Sequence, residues 1–323
     1  MKAFALSDFD TAPVIMDLRP PDPGPGEVRI RVRAASLNGI DVAVSSGLLR
    51  SMAEYRFPVV IGFDGAGAVD AVGDGATDLS VGDDVLGHYA FGSELHHGTL
   101  AEHALLTADA TVVKPASLPF TDAAALPLAG SAALSAIDAV DLRPGETVLI
   151  AGAGGGVGSF TIQLARGRGA TVIATGRPDD AQRLRRLGAA EVVDYQEDVP
   201  GQVRAAHPDG VDALIDMVTF DPDSFAALAN AVRPGGKVAT LTGGATEDAL
   251  AAASLTGQMV MAGTSRDSLS RLITEIERGA LTIDAERILP LDDASQGLET
   301  MANRRARGKI VISVDDEPEI DRG

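Results

Sequence analysis

From Val148 to Gly158 the chain reads Val-Leu-Ile-Ala-Gly-Ala-Gly-Gly-Gly-Val-Gly, and the apolar side continues through Phe160, Ile162, Leu164 and Ala165. This pattern predicts a buried strand, a glycine turn and the start of a helix. Gly152, Gly154, Gly155, Gly156 and Gly158, with Ala153 and Val157 between them, permit positive φ and close approach of the backbone to an anion, and they let helix pack tightly on strand. The free N–H groups and dipole of the helix terminus would then hold a pyrophosphate. The spacing is Gly152-x-x-Gly155-x-x-Gly158 rather than a literal G-x-G-x-x-G, so a tight structural turn is the competing reading. The strand before, the helix after and the surrounding βαβ series favour a dinucleotide site.

A carboxylate at the end of the next strand would grip the adenosine ribose diol of NAD. The run over residues 170–177, Ala-Thr-Val-Ile-Ala-Thr-Gly-Arg, contains none. After Thr175, Gly176 leaves room for a bulky group, and Arg177 supplies a forked cation suited to a 2′-phosphate. NADP(H) is therefore expected rather than NAD. A surface arginine without special duty is the alternative for Arg177, and the neighbouring Arg183, Arg185 and Arg186 are expected to face solvent on a helix.

The elements that must position this turn fall into two groups. Up to about Leu118 short apolar runs are cut by Gly and Pro, and Val28, Ile30 and Val32 alternate with arginines, which predicts a β-rich domain. From about Thr121 alanine-rich helices alternate with continuous apolar strands, the signature of an α/β doubly wound parallel sheet. A helix over 268–278, a strand over 283–289, a helix over 292–302 and a strand over 309–314 are expected to return the chain to the first sheet. Residues 315–323 read as a frayed acidic tail.

The length of 323 residues allows two domains, and 27 basic against 46 acidic side chains give a net charge of −19. That charge disfavours nucleic acid and anionic membranes as partners. Apolar residues make up 45% but no run is long enough to span a bilayer, and the start is unlike a signal peptide, so a cytoplasmic protein is expected. Zero cysteines exclude disulfides, thiolate catalysis and every cysteine-ligated metal site.

The order of Asn38-Gly-Ile-Asp41, Pro58-Val-Val-Ile-Gly-Phe-Asp-Gly-Ala-Gly67, Val81-Gly-Asp-Asp-Val-Leu-Gly87, Gly98-Thr-Leu-Ala-Glu-His103, the glycine turn, Val192-Val-Asp-Tyr195 and Arg307-Gly-Lys-Ile-Val311 resembles the zinc-independent quinone oxidoreductase branch of the medium-chain dehydrogenase/reductase superfamily, over nearly the whole chain. The resemblance implies a GroES-like β-rich domain at 1–120 and 266–323, a Rossmann NADP-binding domain at 121–265, and an active site in the cleft between them. Zinc-dependent members use a cysteine and a Gly-His-Glu motif as ligands. Here Asn38 stands near the cysteine position and Gly62-Phe63-Asp64 replaces Gly-His-Glu, so no metal is expected. His88, His96, His97, His103 and His207 could still form a non-standard site. His88, at a strand end, could instead face the substrate, and His103 is expected on a wet strand face.

Without a Lewis acid, the easier reaction is hydride transfer from NADPH to a quinone or an α,β-unsaturated carbonyl. The resemblance implies that Asn38 and Ile40 border the nicotinamide and that Ser131 meets its ribose or carboxamide. Val218, Thr242, Gly243, Gly263 and Thr264 would line its path, Tyr195 would lie by the adenosine phosphate, and Lys309 would close over the cofactor. A turn asparagine is the alternative for Asn38. Tyr55 is a candidate proton donor or acceptor-orienting group, with a packed tyrosine as its alternative. An enoyl-thioester reductase and a non-catalytic NADP(H)-binding sensor are the competing functions. The resemblance also implies a homodimer formed by pairing of the last Rossmann strand, for which Gln258–Ala262 is the apolar candidate edge.

Overall fold

The computed structural model describes residues 1–92 and 94–314. The expected tail at 315–323 lies outside the described residues. Two compact units result: Met1–Ala129 with Thr264–Ile273 and the chain from Ile283 onwards, and Gly130–Gly263 with Thr274–Thr282.

The first unit is built on a sheet ordered Thr111–Val113, Asp84–His88, Asp64–Val72, Glu27–Leu37, Lys309–Ser313, Ala285–Pro290, with His103–Thr107 also pairing to Glu27–Leu37. The alternation over 28–33 works as its period requires. Val28, Ile30 and Val32 enter the core with Phe4, Val85 and Leu106, while Arg29 points outward to Asp70 at 2.8 Å. The last strand pairs antiparallel with the long central one, Ile310 opposite Leu37. That return brings Lys309 beside the end of strand Glu27–Leu37. The short helix Phe120–Ala125 lies against this sheet, and residues 127–140 form a helix that carries the chain onward.

The second unit is a six-stranded parallel sheet ordered Glu191–Asp194, Thr171–Gly176, Thr147–Ala151, Val211–Asp216, Val232–Thr240, Thr256–Met259. In chain order that is 3-2-1-4-5-6, the doubly wound arrangement whose ligand crevice opens where the strand order reverses, at the carboxyl end of Thr147–Ala151. Both faces are covered: Val148, Ile150 and Val172 pack on one side, Leu149, Ile173 and Leu214 on the other. This explains why the strands read as unbroken apolar runs. Where one helix was expected over 178–187, a 3-10 turn Pro178–Asp180 precedes the α-helix Ala181–Leu187. No helix among the described residues is long and apolar enough to cross a membrane.

Candidate functional site

In the second unit, strand Thr147–Ala151 ends in Gly152 at φ 89°, and helix Gly156–Gly167 begins after Gly155 with no side chain capping it. The Gly152 N–H donates to Thr175 Oγ1 at 3.0 Å, which ties the turn to the neighbouring strand. A Cβ at Gly158 would stand 2.5 Å from Ala153 Cα, so this glycine exists for packing of helix on turn. At Gly155 a Cβ would meet nothing nearer than the Gly152 carbonyl at 3.6 Å, so that surface is open. An uncapped helix terminus beside an open glycine surface fits the pyrophosphate of a dinucleotide.

Two expectations around this turn need correction. The space beside Gly176 is not left for a ligand, because a Cβ there would stand 2.4 Å from Leu184 Cδ1; the glycine admits that leucine from helix Ala181–Leu187. Nor does Arg183 face solvent. Its guanidinium donates to the Gly154 carbonyl at 2.8 Å and holds both oxygens of Asp180 at 2.7 and 2.8 Å. The 3-10 turn rotates Asp180 and Arg183 back toward the glycines, a break that apolar periodicity does not show. Arg177 is 42% exposed at its side chain and meets Asp179 at 3.3 Å.

Asp216, fully buried at the end of its strand, organises the loops that carry Val218 and Thr242. One oxygen accepts the N–H groups of Val218 and Thr219 at 3.0 and 3.1 Å, and the other accepts hydroxyls of Thr219, Thr240 and Thr242. Sequence reasoning missed it, although a carboxylate closing an otherwise apolar strand, Val-Asp-Ala-Leu-Ile-Asp, is a visible signal. Tyr195 and Val218 are exposed and Ser131 is buried. A Cβ at Gly243 would meet only the Phe220 carbonyl at 3.7 Å, and at Gly263 nothing within 4 Å.

In the first unit the same kind of organisation surrounds Asn38. Its Nδ2 donates to Asp64 Oδ2 at 2.9 Å, its Oδ1 accepts from Lys309 Nζ at 2.7 Å, and its backbone N–H donates to Asp41 Oδ2 at 2.6 Å. Lys309 Nζ also donates to the Leu37 carbonyl at 2.9 Å. Asp64 also accepts the Leu128 N–H at 3.1 Å, and its Oδ1 lies 2.8 Å from His88 Nδ1. Phe63 stacks on the His88 ring, centroids 5.9 Å apart. All five polar residues are buried. Burial raises the Asp41 carboxyl to about 7, with the nearby Asp64 charge adding to the rise, and its Oδ1 has no hydrogen-bond partner among the described residues. Burial also lowers the Lys309 ammonium, opposed by the Asp64 and Asp41 charges.

The Lys309 ammonium is thus tied to Asn38 and to the end of strand Glu27–Leu37. Ile40 packs partly against the core, and the Thr264 hydroxyl is buried without a partner among the described residues. Tyr55 Oη donates to the Val44 carbonyl at 3.2 Å, its ring packs against Phe9 at 4.7 Å, and burial raises its pKa. The histidines separate by partner: His96 bonds the Arg56 carbonyl and lies tilted against His97, whereas His88 meets Asp64. His103 meets Asp70 across its strand face. Among the described residues no three His, Cys, Asp or Glu side chains are grouped to hold a metal ion.

With this geometry in view, comparison with known proteins is informative. Residues 24–116 match the alcohol dehydrogenase GroES-like domain, and residues 156–277 match the family described as zinc-binding dehydrogenase. A quinone oxidoreductase of Pseudomonas aeruginosa is 32% identical, over 92% of this chain and 94% of the relative. A chloroplastic NADPH-dependent alkenal/one oxidoreductase of Arabidopsis thaliana is 29% identical, over 97% of this chain and 79% of the relative. Among solved structures, the quinone oxidoreductase from Coxiella burnetii superposes with a TM-score of 0.87 at 28% identity, covering 98% of this chain and 99% of the other. An NAD-dependent alcohol dehydrogenase gives 0.85 at 31% identity, covering 98% of this chain and all of the other. The chain belongs to the quinone oxidoreductase branch of the medium-chain dehydrogenase/reductase superfamily. It is an oxidoreductase with a GroES-like and a Rossmann-like domain.

Proposed function

We propose that this oxidoreductase reduces a quinone or an α,β-unsaturated carbonyl with NADPH and without a metal. The observation that carries the reading is the buried Lys309 ammonium on Asn38, 2.7 Å from its Oδ1. Zinc-dependent relatives hold their cation with ligands near this position; here a fixed ammonium, an amide and Phe63 stand instead. A second cation beside Lys309 would be repelled by its charge.

NADPH supplies the hydride. The turn from Gly152 to Gly158 and the N–H groups opening helix Gly156–Gly167 receive its pyrophosphate, and Arg177 meets the 2′-phosphate as a forked donor. Tyr195 borders the adenosine, while Val218, Thr242, Gly243, Gly263, Thr264 and Ser131 border the nicotinamide half. Asn38 and Ile40 stand against the ring, with Lys309 and Asp64 holding the Asn38 amide plane from both ends. Tyr55 acts as packing for one wall, its hydroxyl being committed to Val44.

Cofactor choice is tested by nucleotide fluorescence. Arg177→Ala should weaken NADPH binding by about 10- to 100-fold, the value of a charge-assisted contact of about 1.5–3 kcal/mol, and leave NADH unchanged. Equal binding of NADH and NADPH by the unaltered protein would remove the cofactor assignment. Turnover is tested with a panel of quinones, enones and a crotonyl thioester. Preference for the thioester would favour an enoyl-thioester reductase. NADPH binding with no turnover of any acceptor would favour a sensor.

A further inference from the structure

Hydride transfer to a quinone or enone leaves negative charge on the acceptor oxygen, and that oxygen then takes a proton. We infer that His88 is the residue that supplies it, from Nε2, with Asp64 fixing the ring. This rests on the reductase reading above and on Asn38 bordering the nicotinamide.

The geometry is that of a carboxylate–imidazole pair. His88 Nδ1 lies 2.8 Å from Asp64 Oδ1, and the carboxylate already accepts from Asn38 Nδ2 and the Leu128 N–H. The carboxylate accepts in both of those contacts, and an accepting Oδ1 at 2.8 Å calls for the hydrogen on Nδ1. The neutral ring must then present a bare Nε2, and the protonated ring an Nε2–H. Nε2 makes no hydrogen bond among the described residues, and 9% of the His88 side chain stays open. Phe63 lies near-parallel to the ring on one side. A histidine needed only for packing or for one structural bond would not require an oriented tautomer with its second nitrogen kept free.

The step balances. Two electrons arrive with the hydride, the Nε2–H bond breaks, and an O–H bond forms on the enolate or hydroquinone oxygen. His88 becomes neutral, retains its Nδ1 hydrogen toward Asp64, and regains a proton from water. For an enone, the enol then becomes the ketone in solvent. The charged groups facing the ring from its surroundings are Asp64 directly, and beyond it, through Asn38, Lys309 and Asp41.

The test uses the full-length protein with NADPH and 2-cyclohexen-1-one. The unaltered enzyme should show kcat falling at high pH and a solvent deuterium effect on kcat. Nitrogen-15 spectra of the imidazole should show neutral His88 with its hydrogen on Nδ1. His88→Asn keeps a donor for Asp64 but removes Nε2. It should bind NADPH unchanged, retain the thermal midpoint, lose about 100-fold or more in kcat and lose the high-pH limb. Added imidazole should restore part of the rate. A folded His88→Asn variant with kcat within threefold and the same pH profile would overturn the assignment while leaving the reductase reading intact. So would a neutral ring with its hydrogen on Nε2, whether or not the variant folds. Absence of NADPH oxidation with every quinone and enone would overturn the reductase reading and this step with it.

Discussion

Asp41 is the residue where burial and function conflict most plainly. Its carboxyl titrates near 7 in the fold against 3.8 in the unfolded chain, chiefly because it is desolvated. The native state therefore holds a proton over that interval that the unfolded state has released. The associated stability is complete below about 3.8 and is lost as pH rises through 7. Asp41→Asn keeps an acceptor for the Asn38 N–H and removes the titration. Urea unfolding from pH 5 to 8 should show the variant gaining on the unaltered protein, by up to about 1.4 kcal/mol per pH unit. A gap that does not change with pH would contradict the buried-carboxyl account. Lys309→Met should act in the opposite sense, leaving the Asp64 carboxylate buried without its countercharge and costing about 3–5 kcal/mol, read from the denaturation midpoint. Much of this cluster is visible in the chain itself. Asp41 follows Asn38 at the three-residue spacing of a capping box, and Asp64 closes the Gly-Phe-Asp run that stands in place of Gly-His-Glu. The contact between Lys309 and Asn38 is not visible, because 271 residues separate them and only the pairing of the last strand with Glu27–Leu37 brings them together.

At the scale of elements, the glycine turn separates two duties that the same residue type performs. Gly158 packs helix Gly156–Gly167 against Ala153, so Gly158→Ala should lower stability by about 1–3 kcal/mol, the usual cost of overpacking, and lower the thermal midpoint. Gly155→Ala meets only an ordinary contact at 3.6 Å and should melt as the unaltered protein does. Its added methyl would stand on the open surface at the helix terminus, so NADPH affinity should fall at least tenfold. Equal melting of the two variants, or unchanged NADPH binding by Gly155→Ala, would break this division. Strand, turn and helix were legible here because one continuous stretch contains them all. Gly176 was not, since its neighbour Leu184 arrives from the following helix, and that helix begins only after the 3-10 turn Pro178–Asp180. The placement of Arg183 on the Gly154 carbonyl depends on the same turn. A pattern of apolar positions records which face is buried but not where a helix changes pitch.

For the whole molecule, the open question is what covers the end of the parallel sheet. The strand order leaves Thr256–Met259 at the edge, paired among the described residues only to Val232–Thr240, and all four of its residues are exposed. Met259 and Met261 are 58% and 74% exposed, and the stretch over 256–262 contains no charge and no proline. Soluble proteins blunt such edges with Lys, Pro or a bulge, and this edge has none of these in its sequence. A second copy placed about a two-fold axis would pair the two edges and cover both methionines, which is our proposal for the assembly. The −19 charge of each copy opposes association, so the dimer should tighten as salt rises. Light scattering at about 10 μM in 0.15 M salt should give roughly 66 kDa, twice the 33.1 kDa chain. Met259→Lys with Met261→Lys places four new charges across the paired edges and should return the mass to that of one chain, with the thermal midpoint of the Rossmann-like unit lowered by loss of the partner. A single-chain mass for the unaltered protein at this concentration would refute the edge pairing, and a dimer undisturbed by both lysines would move the interface elsewhere.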